Sequence, residues 1–514
     1  MLHGYVWPNG VRQFYGIPYG SFVKNWTRST LVDSWPNGEH DGRKLGPWAV
    51  QPVPWDFVSY HSSYPVHPYS YLNKPDENNN RDSLTINLTV PPDVEVGNVP
   101  VLAFIHGGAF IFGSSYFLIY DGYRLVSEAI RKGKPVVFAS FNYRLGLFGF
   151  LASKDIREDL QRDGFEGNGN FGLTDQQLAL EWIQKHINHF GGDRNNVTIL
   201  GESAGGMSVG AQIHSRRGPE LFSRGAQLSG NMCSVLLFTE KQHEQLYIRV
   251  LKLLDISPEA PDRLHRLQAV PDEKIREVTQ DSFTTLISIA SLCEDGWFWA
   301  ESRDDRVQNP PAPPPWLKGL ITSDVRDESG VFRDELSTNT LDKLEERLQK
   351  RLVPDAIAGV KKLYNIHEDV TWAQREEILE AIKSSVPHFV YHFDQPCYFS
   401  DNIFRREAYH AFDLLFIFLT RYEQFNPEER LLAEDVHTSF INFAHGIDPW
   451  ERHQLRHRSR VWGPDGKIQL LDEGEDVTRK YSRMRELVSK KWYDDGFFQV
   501  AEDIVVGRYR IFEQ

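Results

Sequence analysis

The chain has 514 residues, 40% hydrophobic and 25% charged, a composition ordinary for a globular protein with material for a large core. Its formal net charge of −14 argues against nucleic acid as a partner, because phosphate binding requires a basic face. No stretch approaches the roughly 18 uninterrupted apolar residues of a membrane span, and the start Met1-Leu2-His3-Gly4-Tyr5-Val6-Trp7-Pro8 lacks the basic head and apolar centre of a signal peptide. The expected location is therefore the cytoplasm. Sequons at Asn25, Asn87 and Asn196 leave secretion open.

In chain order, residues 9–18 alternate as a strand closing on a turn. Residues 48–71 are aromatic and proline-rich without a period, the pattern of a packed irregular loop. A polar turn at 77–82 precedes a strand over 83–90, and Pro91-Pro92-Asp93 breaks the chain. The apolar run 100–105 ends abruptly at His106-Gly107-Gly108-Ala109-Phe110, and 136–143 form another largely apolar strand. Residues 175–189, with Leu178, Ile183 and Ile187 among the apolar positions, read as an amphipathic helix stopped by Gly191-Gly192-Asp193.

Next, Val197-Thr198-Ile199-Leu200 runs into Gly201-Glu202-Ser203-Ala204-Gly205-Gly206. A buried strand that ends in Gly-x-Ser-x-Gly is the pattern of a nucleophile elbow, in which the serine sits on a strained strand-to-helix turn with its hydroxyl projecting. Ser203 is the candidate nucleophile, and the glycine loop at 106–110 is the candidate oxyanion site. A further short strand spans 221–229. Strands alternating with helices imply an α/β fold with a predominantly parallel sheet covered on both faces.

These residues carry a resemblance. Asn142-Tyr143-Arg144-Leu145-Gly146, residues 169–182, Phe190-Gly191-Gly192-Asp193 and the elbow are similar to the type B carboxylesterases, the carboxylesterase and cholinesterase branch of the α/β-hydrolases. The similarity runs from Phe14 to Pro449 and is thinnest over 236–291. It implies one domain over 1–514, with helical insertions over about 231–400 that include the acid strand near 319–330. It also implies a serine carboxylic-ester hydrolase acting on small-molecule esters.

By the same resemblance, Glu328 lies where the family has Asp-Glu-Gly, with Ser329 replacing the glycine, and His410 begins a His-x-x-Asp-Leu pattern. Ser203, Glu328 and His410 then follow the chain order of this fold. The expected oxyanion donors are the N–H groups of Gly108, Ala109 and Ala204, with Glu202 and Ser229 as supporting neighbours. Asp324, Asp327 and Glu335 are nearby carboxylates that a solvated acidic turn would explain. Leu344, Leu348 and Leu352 at helical spacing read as core, and residues 309–315 as a rigid approach to the acid strand. No His or Cys cluster has metal-ligand spacing, so neither metal nor cofactor is expected. Oligomeric state is not legible.

A second reading is a catalytically inactive binding or adhesion module of the same fold, in which triad residues are replaced. All three are present here, which favours the enzyme. Secreted relatives carry a disulfide cysteine where this chain has Ser83. The remaining Cys233, Cys293 and Cys397 are expected as thiols.

Overall fold

A computed structural model describes residues 1–52, 81–231, 237–285, 290–300, 312–328, 346, 348–349, 352–364, 385–400, 402, 404–479, 481, 485–486 and 489–490. Its centre is an eleven-stranded sheet: β1 Tyr5–Val6, β2 Arg12–Pro18, β3 Thr85–Val90, β4 Val99–Ile105, β5 Val137–Phe141, β6 Gly192–Glu202, β7 Arg224–Leu228, β8 Leu320–Val325, β9 His388–Phe393, β10 Arg458–Trp462 and β11 Ile468–Asp472. The spatial order is β11-β10-β9-β8-β7-β6-β4-β5-β3-β2-β1. From β10 across to β5 every pairing is parallel, while β11 at one margin and β3, β2 and β1 at the other are antiparallel. β4, β6, β7 and β8 thus end on the same edge, where loops from successive crossovers converge.

The parallel strands are buried on both faces, which explains their continuous apolar runs. Alternate residues enter different cores. Val101, Ala103, Ile105, Val197 and Ile199 belong to one cluster, and Leu102, Phe104, Leu200, Ala226 and Leu228 to the other. The helices that matter for the site are α1 Gly122–Arg131, α2 Phe171–His186, α3 Ala204–Ile213, α4 Leu414–Phe418 and α5 Pro427–Ala444. α2 begins four residues before the position expected from periodicity. Asn170 there adopts a left-handed conformation (φ 51°) and binds Cys293 in both directions, through Nδ2 to its carbonyl (2.8 Å) and Oδ1 from its N–H (2.7 Å). Most of α2 is buried, including Asp175, Gln176 and Gln177, so the amphipathic signal of its start is blurred.

The polar residues of this helix are partnered. Gln176 donates to Ser208 Oγ (3.0 Å) and Gln177 to Gln212 Oε1 (3.1 Å), both on α3. Asp175 takes a bidentate pair from Arg144 at 2.7 Å and 2.7 Å, and Arg144 also donates to the Thr27 carbonyl at 2.8 Å. Both side chains of the pair are essentially fully buried, and Phe22 stacks on the guanidinium. This fork-to-fork geometry joins two of the segments that carry the resemblance, 142–146 and 169–182.

The described part of 231–400 contains Glu240–Leu253, Arg263–Gln268, Asp272–Thr285 and Pro354–Tyr364 as helices. It also holds a small parallel pair, Leu237–Phe238 with Leu292–Cys293, which the sequence did not announce. Leu348 and Leu352 are buried as expected. Leu344, Glu335, Ser329, Cys233, residues 53–71 and 77–80, and 309–311 lie outside the described residues. Among the described residues no helix is long and apolar enough to cross a membrane.

Candidate active site

The elbow forms where the sequence places it. β6 ends at Glu202, α3 begins at Ala204, and Ser203 between them has φ 57° and ψ −123°. A non-glycine residue held there stores about 1–3 kcal/mol, which the surrounding packing must overcome. The small residues make that packing possible. A Cβ on Gly201 would meet the Gly205 carbonyl carbon at 2.4 Å, and one on Gly205 would meet the Ile105 carbonyl oxygen at 2.0 Å. The Ser203 N–H donates to the Leu228 carbonyl (2.8 Å), which locks the turn to β7.

Beside the elbow, the loop after β4 turns through three consecutive positive φ values at Gly108, Ala109 and Phe110. Its carbonyls are anchored: Gly108 accepts from Ile111 N–H (2.9 Å) and Phe112 N–H (3.0 Å), and Phe110 from Gly146 N–H (2.7 Å). Its root is also fixed, because the Tyr143 hydroxyl donates to the His106 carbonyl (2.8 Å) and its ring stacks on the imidazole. Burial depresses His106 to about 4, so this ring is neutral and structural. Among the described residues, no protein acceptor takes the N–H of Gly108, Ala109 or Ala204. Three donors with fixed backbone and no partner are what a developing oxyanion needs.

The acid and base meet on the adjoining loops. Glu328 follows β8 by three residues; its Oε1 accepts from Val325 N–H (3.0 Å), and its Oε2 lies 2.5 Å from His410 Nδ1. Asp327 has a different task. Its N–H donates to the Ala408 carbonyl (3.0 Å), its Oδ2 accepts from Ala408 N–H (2.7 Å), and Arg326 pairs with the same carboxylate. Adjacent carboxylates are thereby separated: Glu328 touches the imidazole, and Asp327 staples the two loops together.

His410 Nε2 lies 2.8 Å from Glu202 Oε1. The imidazole is thus held between two carboxylates, and Ser203 Oγ makes no hydrogen bond to it in this arrangement among the described residues. Burial pushes the basicity of His410 down, but the charges of Glu202 and Glu328 outweigh it, and the ring is held well above the ordinary histidine value. Asp413, three residues on, is fully buried and accepts from the Tyr391 hydroxyl (2.6 Å). Burial raises it to about 7, opposed by the Tyr391 bond and assisted by the charges of Glu202 and Glu328. Ser229 has φ 47°, its N–H donates to the Ser323 carbonyl (3.1 Å), and its buried Oγ has no partner among the described residues.

The predicted site residues therefore converge on one edge of the sheet. Sequence reasoning missed the Glu202–His410 contact, the stapling by Asp327 and the buried acid at Asp413. Asp413 was visible in the His-x-x-Asp-Leu pattern, although nothing there assigned it a role. No group of three or more metal-binding side chains occurs among the described residues.

A mostly parallel sheet with a strained serine elbow at the carboxyl end of a central strand, and His and Glu loops beside it, defines an α/β-hydrolase. The chain belongs to the carboxylesterase family, whose pattern it matches over residues 3–486. It is 29% identical over 468 residues to lipase 3 of Yarrowia lipolytica, covering 86% of each chain. It is 27% identical over 470 residues to the para-nitrobenzyl esterase of Bacillus subtilis, covering 86% of this chain and 87% of that one. A solved carboxylesterase structure from Geobacillus stearothermophilus superposes with a TM-score of 0.70 at 23% identity, over 94% of this chain and 97% of that one, a likeness of fold. As a carboxylesterase-family α/β-hydrolase, the protein is a serine ester hydrolase.

Proposed function

We propose that the protein hydrolyses small-molecule carboxylic esters through an acyl-enzyme on Ser203, within one catalytic domain. The observation that carries this reading is the meeting of three parts built from distant segments: the strained serine, the His410–Glu328 pair and the three unpartnered amides.

In the proposed cycle, His410 in its neutral form takes the Ser203 proton as Oγ attacks the carbonyl carbon. Glu328 on Nδ1 fixes the tautomer that leaves Nε2 able to accept, and it stabilises the imidazolium that results. Nε2 must leave Glu202 to face Ser203 Oγ; Glu202 then returns as a counter-charge for the protonated ring. The oxyanion is received by Gly108, Ala109 and Ala204, each donor worth about 3–4 kcal/mol at comparable sites. His410 protonates the leaving alcohol, and water repeats the sequence to release the acid.

The presence of all parts together favours this over an inactive binding module. Rapid mixing with a chromogenic ester should give a burst of alcohol equal to the enzyme concentration whenever deacylation is slow. Hydrolysis undiminished in Ser203→Ala would contradict the proposal.

A further inference from the structure

We infer that Gln51 is a positioning residue for the oxyanion hole, holding the exit of the glycine loop through a paired amide contact. Gln51 is 2% exposed. Its Nε2 donates to the Gly113 carbonyl (3.1 Å), and its Oε1 accepts from the Gly113 N–H (2.9 Å). One side chain thus pairs both polar groups of one residue, as a neighbouring strand would. A third bond, from Nε2 to the Ala49 carbonyl (3.1 Å), fixes the orientation of the amide.

Gly113 is a sensitive place to hold. It is buried with φ +117°, and a Cβ there would meet the Gly107 carbonyl oxygen at 2.4 Å and His106 Nδ1 at 2.6 Å. The exit of the loop is therefore packed against its root. Between them, the chain closes on itself through the Gly108 carbonyl, and the Gly108 and Ala109 amides have no protein acceptor among the described residues. The root is held by Tyr143 and the middle by Gly146 N–H. Asn142 holds the chain beyond, through Ser114 Oγ (3.2 Å) and Ser115 N–H (2.8 Å). Gly113 itself is held by Gln51. Without that amide, the buried N–H and C=O of Gly113 lose their partners, and the loop must shift to recover them. A displacement of the donors by about 1 Å costs on the order of 10²-fold in rate.

The inference rests on the proposed assignment of the oxyanion donors, and its test separates the two. Gln51→Met keeps length and apolar volume but neither bond; with the fold checked by melting, kcat should fall about 10²-fold while KM changes little. Affinity for a trifluoromethyl ketone should fall in parallel with kcat/KM. Gln51→Glu supplies a readout that simple destabilisation would not move. As a carboxylate it accepts from the Gly113 N–H but repels the carbonyl, whereas as an acid its O–H donates to that carbonyl. Its kcat relative to wild type at the same pH should therefore rise as pH falls.

Wild-type kcat in Gln51→Met, or a flat ratio for Gln51→Glu, overturns the inference. If Gln51→Met does not fold, the ratio for Gln51→Glu decides alone. Activity persisting in Ser203→Ala would instead overturn the assignment of the site on which the inference rests.

Discussion

Replacing Glu202 by Gln tests the electrostatics of the site, because it removes one of the two charges that clamp His410 while nearly preserving shape. At 2.8 Å, two unit charges in an effective dielectric of about 20 attract by on the order of 6 kcal/mol, a ceiling for this contact. Desolvation of the carboxylate and sharing with Glu328 reduce it, and an opposite charge at such range commonly moves a pKa by about 1–3 units. The sign is fixed by the mechanism. His410 works as a base when neutral, so activity rises with pH through its raised pKa. Glu202→Gln lowers that pKa, and the acid limb of log(kcat/KM) against pH should move to lower pH by about 1–3 units. The assay is the hydrolysis of a neutral chromogenic ester over the stable pH range, normalised to active sites. Asp413, also raised by the Glu202 charge and coupled to His410, should ionise more readily in the variant, and its negative charge would offset part of the shift. An acid limb that stays in place, or moves upward, would refute the reading of His410 as held by both carboxylates.

Two other predictions follow from the loops and the core. Glu328→Gln should lower kcat by about 10⁴, as the analogous change in a triad does, whereas Asp327→Asn should act mainly through stability, because Asp327 binds the Ala408 amide and Arg326; a severe kcat loss in Asp327→Asn with a mild one in Glu328→Gln would reverse the assignment. Arg144→Met leaves Asp175 buried without its cation and should destabilise by about 3–5 kcal/mol, measured as a lower denaturation midpoint; an unchanged midpoint would contradict the structural role given to this pair.

The parts of the site differ in how legible they were. The elbow could be read directly because strand, turn and helix are local, and tight packing demands small residues at Gly201 and Gly205. Glu328 and His410 lie on loops 82 residues apart, and resemblance located them where periodicity could not. The loop geometry then gave distinct contacts to the two adjacent carboxylates: Glu328, which the resemblance had singled out, touches the imidazole, and Asp327 binds Ala408 and Arg326. Gln51 sits 62 residues from the peptide it binds, in a stretch without a period, so no local signal marks it. The small parallel pair of Leu237–Phe238 with Leu292–Cys293 escaped for a related reason. Two-residue strands have no alternation to detect, and their pairing is set by tertiary packing.

The central claim is that Ser203 carries the acyl group, and trapping the adduct tests it most directly. Wild-type protein treated with an organophosphate or a sulfonyl fluoride, digested and mapped by mass spectrometry, should carry one adduct, on the peptide containing Ser203, with activity lost in proportion to labelling. An adduct on another residue accompanied by the same loss of activity, or full labelling at Ser203 with hydrolysis intact, would contradict the account.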